Sequence, residues 1–344
     1  MAKVLIQDLA RTLSLSRNTI SKALKNDEAV MESTRIRIAQ AALDMGYSRV
    51  DPALLELVRS RRQESGSKRY AILMTDFADD DFWRGIIWGI TEQFRQVKGS
   101  CLLVLTTAEE IRANTLPEAI VSEKLDGVIC LTIFPEAYYR LLEQQGLPIV
   151  SFDMPPLPVP YPPHFDVLYP EGEQSVYEIT ADLIRRGCRR IAFVGDLYHS
   201  QSLRDRYRGF RRAMTEASLT VDEADCLTRD ADRFYNRDTL EKRLDAMGEL
   251  PDAFVCANDH IALDVMQYLK KRGVAIPQQV AVTGFDNKRE CTIIEPHLTS
   301  VNTSSKRIGA RLAQQLLWRI SNPRMHCETV IIGTSPVFRE SSNI

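Results

Sequence analysis

From Ile6 the apolar residues recur with a helical period: Ile6, Leu9, Ala10 and Leu13 stand at i, i+3, i+4 and i+7. Ser14-Leu15-Ser16 interrupts that run, and a second period follows in Thr19, Ile20, Ala23 and Leu24. After Asn26-Asp27-Glu28, a third segment from Glu32 turns Ile36, Ile38, Ala39, Ala42, Leu43 and Met45 inward. It stops at Gly46, a favourable residue just past a helix end. Three short helices, the first two joined by a tight polar turn, predict a helix-turn-helix domain over residues 1–48. Asp51-Pro52 supplies a cap followed by proline at the first helical position, which predicts a further short helix over Ala53 to Arg61. The polar stretch 63–68 reads as a linker, so residues 49–69 form a connecting helix and linker.

Beyond Arg69 the texture changes to α/β alternation. Buried-strand runs are expected at Tyr70–Thr75, Cys101–Thr106, Gly127–Thr132, Pro148–Phe152, Arg190–Gly195, Ala253–Ala257 and Val280–Phe285. Helical patterns lie between them, at Trp83–Val97, Ala137–Gln145, Ser175–Arg186, Tyr207–Ala217, Thr239–Met247, Ile261–Arg272 and Lys306–Ile320. That alternation is the mark of doubly wound parallel sheets. So many βα units exceed what one compact sheet holds, which predicts two lobes over residues 70–344. The expected fold class is α/β, with an all-α head. The proline-rich run Pro155–Pro163 is expected as an irregular loop near the lobe junction.

Charge sharpens this division. The whole chain of 344 residues is nearly neutral, at −2. Residues 1–69 nevertheless carry +5 and residues 70–344 carry −7, so a basic head suited to a polyanion precedes an acidic body. The seven cysteines are scattered and never form a C-x-x-C pair, which fits a reducing compartment better than a disulfide framework. No apolar run approaches the roughly 20 residues that cross a bilayer, and the N-terminus has no secretory pattern, so a cytoplasmic protein is expected. Walker, G-x-S-x-G, H-E-x-x-H and G-x-G-x-x-G motifs are absent and the five histidines are isolated. The expectation is a protein without enzymatic activity, metal or cofactor.

The head carries a long ordered motif: Ile6-Gln7-Asp8-Leu9-Ala10, Leu15-Ser16-Arg17-Asn18-Thr19-Ile20-Ser21-Lys22-Ala23-Leu24, Thr34-Arg35 and Leu43-Asp44-Met45-Gly46-Tyr47. It resembles the LacI/GalR family of bacterial transcription regulators. The resemblance implies that the second helix enters the major groove, with Arg17, Asn18 and Lys22 at base-reading positions. It places Ser16, Thr19, Ser21 and Tyr47 at phosphate contacts or as supports. The chemistry agrees: Arg and Lys suit guanine and Asn suits adenine, each bidentate contact worth about 1–3 kcal/mol of discrimination. Leu5 and Met31 stand where the family usually caps its helices, and Leu13-Ser14 replaces Ala-Gly in the turn. A positive φ at Ser14 would add strain that glycine avoids.

In the family's hinge, N-x-x-A-R-x-L, a leucine wedges into the minor groove. Aligning Asp51 with that asparagine brings Leu57 to the wedge, but Leu54 and Leu55 replace the Ala-Arg pair. Two readings follow: the hinge orders on DNA with Leu57 intercalating, or the amphipathic stretch 52–62 is a permanent helix packed on the body or on a dimer mate. The first is the working expectation.

In the body, Leu125-Asp126-Gly127-Val128-Ile129, Gly187-Cys188-Arg189-Arg190-Ile191-Ala192-Phe193-Val194-Gly195, Arg206-Tyr207-Arg208-Gly209-Phe210, Ala257-Asn258-Asp259, Gly284-Phe285-Asp286-Asn287 and Val337-Phe338-Arg339-Glu340-Ser341 extend the same resemblance. It implies a periplasmic-binding-protein-like body of two lobes that close on a small molecule. Strand C-terminal ends are where such sheets bind ligands. Asp76, Arg206, Asn258 and Asp286 lie near such ends, and Phe82 and Trp83 are suited to stack on a sugar face. Core packing rivals the ligand role for Phe82 and Trp83, and helix capping rivals it for Asn258. Asp153 is a weaker candidate. Glu171 and Ser175 depart from the family's V-D-N-x-x-G segment, so the particular sugar stays open.

The sequence therefore predicts a homodimeric repressor that binds pseudo-palindromic operator DNA under control of a carbohydrate effector, with no membrane partner. The alternative is a sugar-binding protein of periplasmic type, which leaves the head without a purpose.

Overall fold

The computed structural model describes residues 5–45, 47, 49–56, 58, 68–75, 81–156, 164–229 and 237–344. The chain divides into two units, Met1–Lys68 and Arg69–Ile344.

The first unit contains α1 (Ile6–Leu13), α2 (Arg17–Leu24) and α3 (Glu32–Asp44). A further helix, α4, occupies residues 52–56. The apolar positions read from the helical periods meet in one core of Leu9, Ile20, Ala23, Leu24, Ile38, Ala39 and Ala42. Leu5 offers no side-chain cap to α1, but the Asp8 carboxylate accepts a hydrogen bond from the Leu5 amide at 3.0 Å and so supplies half of the missing box. Met31 caps nothing at the start of α3 and lies exposed. Ser14 does take the left-handed conformation, with φ 54°.

Val50, Leu54 and Val58 join the head core and are almost completely buried. Asp51 starts α4 as expected: its Oδ1 accepts from the Ala53 and Leu54 amides at 3.0 and 3.3 Å. The Asp51 amide in turn donates to the Leu24 carbonyl at 2.9 Å, which ties α4 to the end of α2. Neither sequence reading anticipated this arrangement. Leu54 and Val58 sit four residues apart on one helical face, and that face closes the head's own core.

The second unit has two lobes. In the first, β1 (Arg69–Met74), β2 (Ser100–Leu105), β3 (Gly127–Cys130), β4 (Ile149–Phe152), β5 (Asp166–Pro170) and β10 (Thr329–Ile332) form one sheet in the order β10-β5-β4-β3-β1-β2. Every pairing in it is parallel. Helices α5 (Asp81–Gln96), α6 (Ala108–Arg112), α7 (Glu118–Ser122) and α8 (Glu136–Gln144) connect its strands. In the second lobe, β6 (Ile191–Val194), β7 (Ala253–Cys256) and β8 (Ala281–Thr283) are parallel, and β9 (Ser300–Asn302) pairs antiparallel with β11 (Ser335–Val337). Its helices are α9 (Glu173–Arg185), α10 (Gln201–Glu216), α11 (Arg237–Asp245) and α12 (Asp259–Lys271). The last long helix, α13 (Ser305–Ser321), returns to the first lobe, where Ile308, Leu312 and Leu316 enter its core. The chain thus passes between the lobes three times: after β5, after β9 and after β10.

Close approach of α5 and α13 depends on missing side chains. A Cβ at Gly89 would stand 2.1 Å from the Lys306 carbonyl, and one at Gly309 would stand 2.0 Å from that of Ile86. Nearby, β5 contains a fully buried Asp166. Arg319 grips it through Nη2 at 2.6 Å and Nε at 3.1 Å, Gln315 donates at 2.8 Å, and the Glu328 amide donates at 2.9 Å. This network holds β5 to α13 and to the start of β10. The strand escaped the sequence reading because an acid and a proline bracket its short apolar run.

Candidate nucleic-acid interface and effector cleft

Ser16 opens α2 as its N-cap, its Oγ accepting from the Thr19 amide at 3.1 Å and lying 2.8 Å from Thr19 Oγ1. These two residues are thereby helix supports first. Ile20, Ala23 and Leu24 face the core, which turns Arg17, Asn18 and Lys22 to solvent. Arg17 and Asn18 begin the helix and Lys22 lies one turn on from Asn18, so three exposed donors run from the first turn of α2 to its last. Ser21 is half-buried at its flank, and Tyr47 packs, half-buried, against the head core. The Gln7 amide oxygen, once oriented to accept, lies 3.2 and 3.3 Å from the Arg17 guanidinium nitrogens. Gln7 is a positioning partner that the sequence reading did not single out. Leu57 lies outside the described residues.

In the body, the candidates gather at strand C-terminal ends. Phe82 and Trp83, at the start of α5, pack with Phe152 from the end of β4, with ring centroids 5.2, 5.7 and 6.0 Å apart. Asp153 follows directly, in the left-handed region at φ 65°. Its carboxylate crosses to the second lobe, accepting from Ser202 Oγ and from the Ser202 amide at the start of α10. Beside this clasp, the Gln201 amide donates to the Met154 carbonyl at 2.8 Å. One turn further along α10, Arg206 is 6% exposed; its guanidinium lies 3.6 Å over the Phe285 ring and donates to the Ala257 carbonyl. Those neighbours immediately precede Asp286 and Asn258, so Arg206, Asn258 and Asp286 converge after β7 and β8.

Asn258 acts as the N-cap of α12, accepting from the Ile261 amide at 2.9 Å. Asp286 is half-buried with φ 113°. Asp76 lies outside the described residues. Glu171, the departure from the family's segment, caps α9 by accepting from the Gln174 and Ser175 amides. Ser175 Oγ lies 2.7 Å from Thr334 Oγ1, at the third lobe crossing. Burial, with Asp205 and Asp153 nearby, pushes the Tyr169 phenol up to about 12, so it stays a hydrogen-bond donor at neutral pH. The sequence reading missed Phe152 and Ser202. A serine four residues before Arg206, on the same face of one helix, was the available signal.

No three His, Cys, Asp or Glu side chains form a metal-binding group among the described residues. No described helix is long and apolar enough to cross a membrane.

A periplasmic binding protein-like domain matches residues 180–342. The HTH-type transcriptional repressor PurR of Vibrio cholerae serotype O1 is 27% identical over 323 residues, covering 92% of this chain and 91% of that protein. The chain resembles the LacI/GalR family. PurR of Photobacterium profundum is 24% identical across 98% of both chains. The transcriptional regulator CelR in its cellobiose complex superposes with a TM-score of 0.70 at 21% identity, covering 98% of this chain and all of that one. The lac repressor dimer bound to operator and the anti-inducer ONPF gives a TM-score of 0.69 at 18% identity, over 99% of each chain. Each of these relatives is named as a transcriptional repressor or regulator.

Proposed function

We propose that this chain is a repressor that reads a pseudo-palindromic operator as a homodimer and is released or tightened by a carbohydrate in the inter-lobe cleft. One observation carries the DNA-binding part: α2 buries Ile20, Ala23 and Leu24 while presenting Arg17, Asn18 and Lys22 together. Two identical heads favour a two-fold site. The outer edge of the first lobe supports self-association, because Leu102, Leu103 and Leu105 are 40–50% exposed along the edge strand β2. A second copy of the chain would cover that edge.

For the effector, the support is the paired chemistry of the cleft: an aromatic cluster of Phe82, Trp83 and Phe152 on one lobe, and Arg206 with Asp286 on the other. CelR with cellobiose and an Enterococcus faecium LacI-family regulator with ribose show that structures of this shape take sugars. Asn258 serves primarily as a cap in this reading.

Random-duplex selection with the full chain at about 0.15 M salt tests the proposal. A two-fold symmetric motif is the expected result, and sugars are then screened for a shift in binding to it. Retained DNA with no enriched motif would overturn it in favour of a binding protein with a non-reading head.

A further inference from the structure

A second site lies on the outer face of α10. Of the arginines on that helix only Arg206 turns inward. Arg204, Arg208, Arg211 and Arg212 line a cavity of about 540 Å³ with Glu173, Leu197, Tyr198 and Tyr207. Across Tyr198, Tyr207 and Arg211 it continues into a second cavity of about 270 Å³, where Arg229, Arg243 and Thr228 are added. Among the described residues the combined lining holds six guanidiniums against two carboxylates, Glu173 and Glu223, on a body whose net charge is −7.

Those two carboxylates are shared out on one side only. Glu173 meets both Arg208 and Arg212 at 3.1 Å, and just outside the lining Asp205 meets Arg208 at 3.2 Å and Glu216 lies 4.0 Å from Arg212. Glu223 lies 3.6 Å from Arg211, beyond hydrogen-bond distance, with both side chains at least half exposed. The trough therefore has an excess of positive charge at its Arg211–Arg229–Arg243 end. Along a helix rising 1.5 Å per residue, Arg204, Arg208 and Arg211 are spread over about 10 Å. Guanidiniums grip phosphate oxygens in pairs. The three guanidiniums at the Arg211–Arg229–Arg243 end, with the row on α10 beside them, suit several linked phosphates and not one. The larger cavity falls within the roughly 300–1,000 Å³ range of small-molecule sites.

We infer that this trough binds a small organic polyphosphate of nucleotide size, at a site separate from both the cleft and the head. Arg211, Arg229 and Arg243 hold its phosphates, and Tyr198, 60% exposed where the two cavities join, packs against the remainder.

Calorimetry on the full chain at about 0.15 M salt, with sodium tripolyphosphate, ATP and inorganic phosphate as probes, tests this. Tripolyphosphate and ATP should bind at least tenfold more tightly than inorganic phosphate. The exposed-residue double variant Arg211→Gln/Arg229→Gln should weaken tripolyphosphate at least tenfold while melting at the parent's temperature. The head variant Arg17→Ala/Lys22→Ala should bind it as the parent does. No polyphosphate binding, binding indifferent to the trough variant, or binding lost in the head variant would each overturn the assignment. Tighter binding of a polyglutamate peptide than of tripolyphosphate would also overturn it, and would make the trough a surface for an acidic protein. None of these outcomes alters the operator selection proposed above.

Discussion

Leu54→Ala is the most informative single change in the head. If α4 belongs to the head's own core, its stability is coupled to that core, whatever the DNA contributes. Leu54 is completely buried among Leu9, Ile20, Leu24, Ile38 and Val58. Removing such a side chain leaves a cavity and costs about 2–5 kcal/mol. At roughly 0.05–0.15 kcal/mol per residue, a unit the size of Met1–Lys68 has only about 3–10 kcal/mol in total. The substitution should therefore remove a large share of the head's stability and lower its melting transition by about 10 °C or more. The body's transition should stay in place. Hydrogen exchange on the full chain, measured free of DNA, gives the decisive readout. Amides 54–56 in the parent should be protected alongside those of α2 and α3, and Leu54→Ala should release all three segments together. Parent amides in α4 that exchange at open-chain rates while α2 and α3 stay protected would refute the reasoning. So would a Leu54→Ala head that melts with the parent. Either result would restore a hinge that orders only on its operator.

Ser14→Gly should stabilise the head by about 1 kcal/mol, since Ser14 holds a left-handed φ that glycine takes without strain; a lowered head melting temperature would contradict this. Arg319→Ala leaves the fully buried Asp166 without its cation and should destabilise the body by about 3–5 kcal/mol in thermal or urea unfolding. The double variant Asp166→Leu/Arg319→Met should recover much of that loss, and a double variant no better than the single would mean the pair's geometry matters more than its charge. Arg206→Gln should abolish the response of operator binding to whichever sugar shifts the parent, while sugar-free operator affinity is kept. A variant that still responds would remove Arg206 from the effector site.

Much of the architecture follows from short-range pattern. The helical periods at Ile6–Leu13 and Thr19–Leu24, and the buried runs at Tyr70, Gly127, Arg190 and Ala253, became elements because each combines one apolar face or run with compatible neighbours. The resemblance to the LacI/GalR family was legible for the same reason: its motifs are local, and they sit at turns and strand ends. Boundaries were less legible. The sequence reading began α10 at Tyr207, whereas the helix starts at Gln201, because its first turns are polar and their cap is Ser200. β5, α6 and α7 were missed since runs of five residues carry almost no periodicity.

What only the tertiary structure decided depends on partners distant in sequence. An aspartate in a strand is tolerable only when Arg319, some 150 residues away, reaches it. Asp153 and Ser202 form an inter-lobe clasp because β4 and α10 end at the same place, which no local spacing encodes. The segment that carries Leu54 and Val58 is the clearest case. Its leucines and valine define an apolar face from sequence alone, but an amphipathic helix does not name the surface it will cover. Burying Leu54 and Val58 with the core of α1–α3 removes apolar area from water that this segment would otherwise expose.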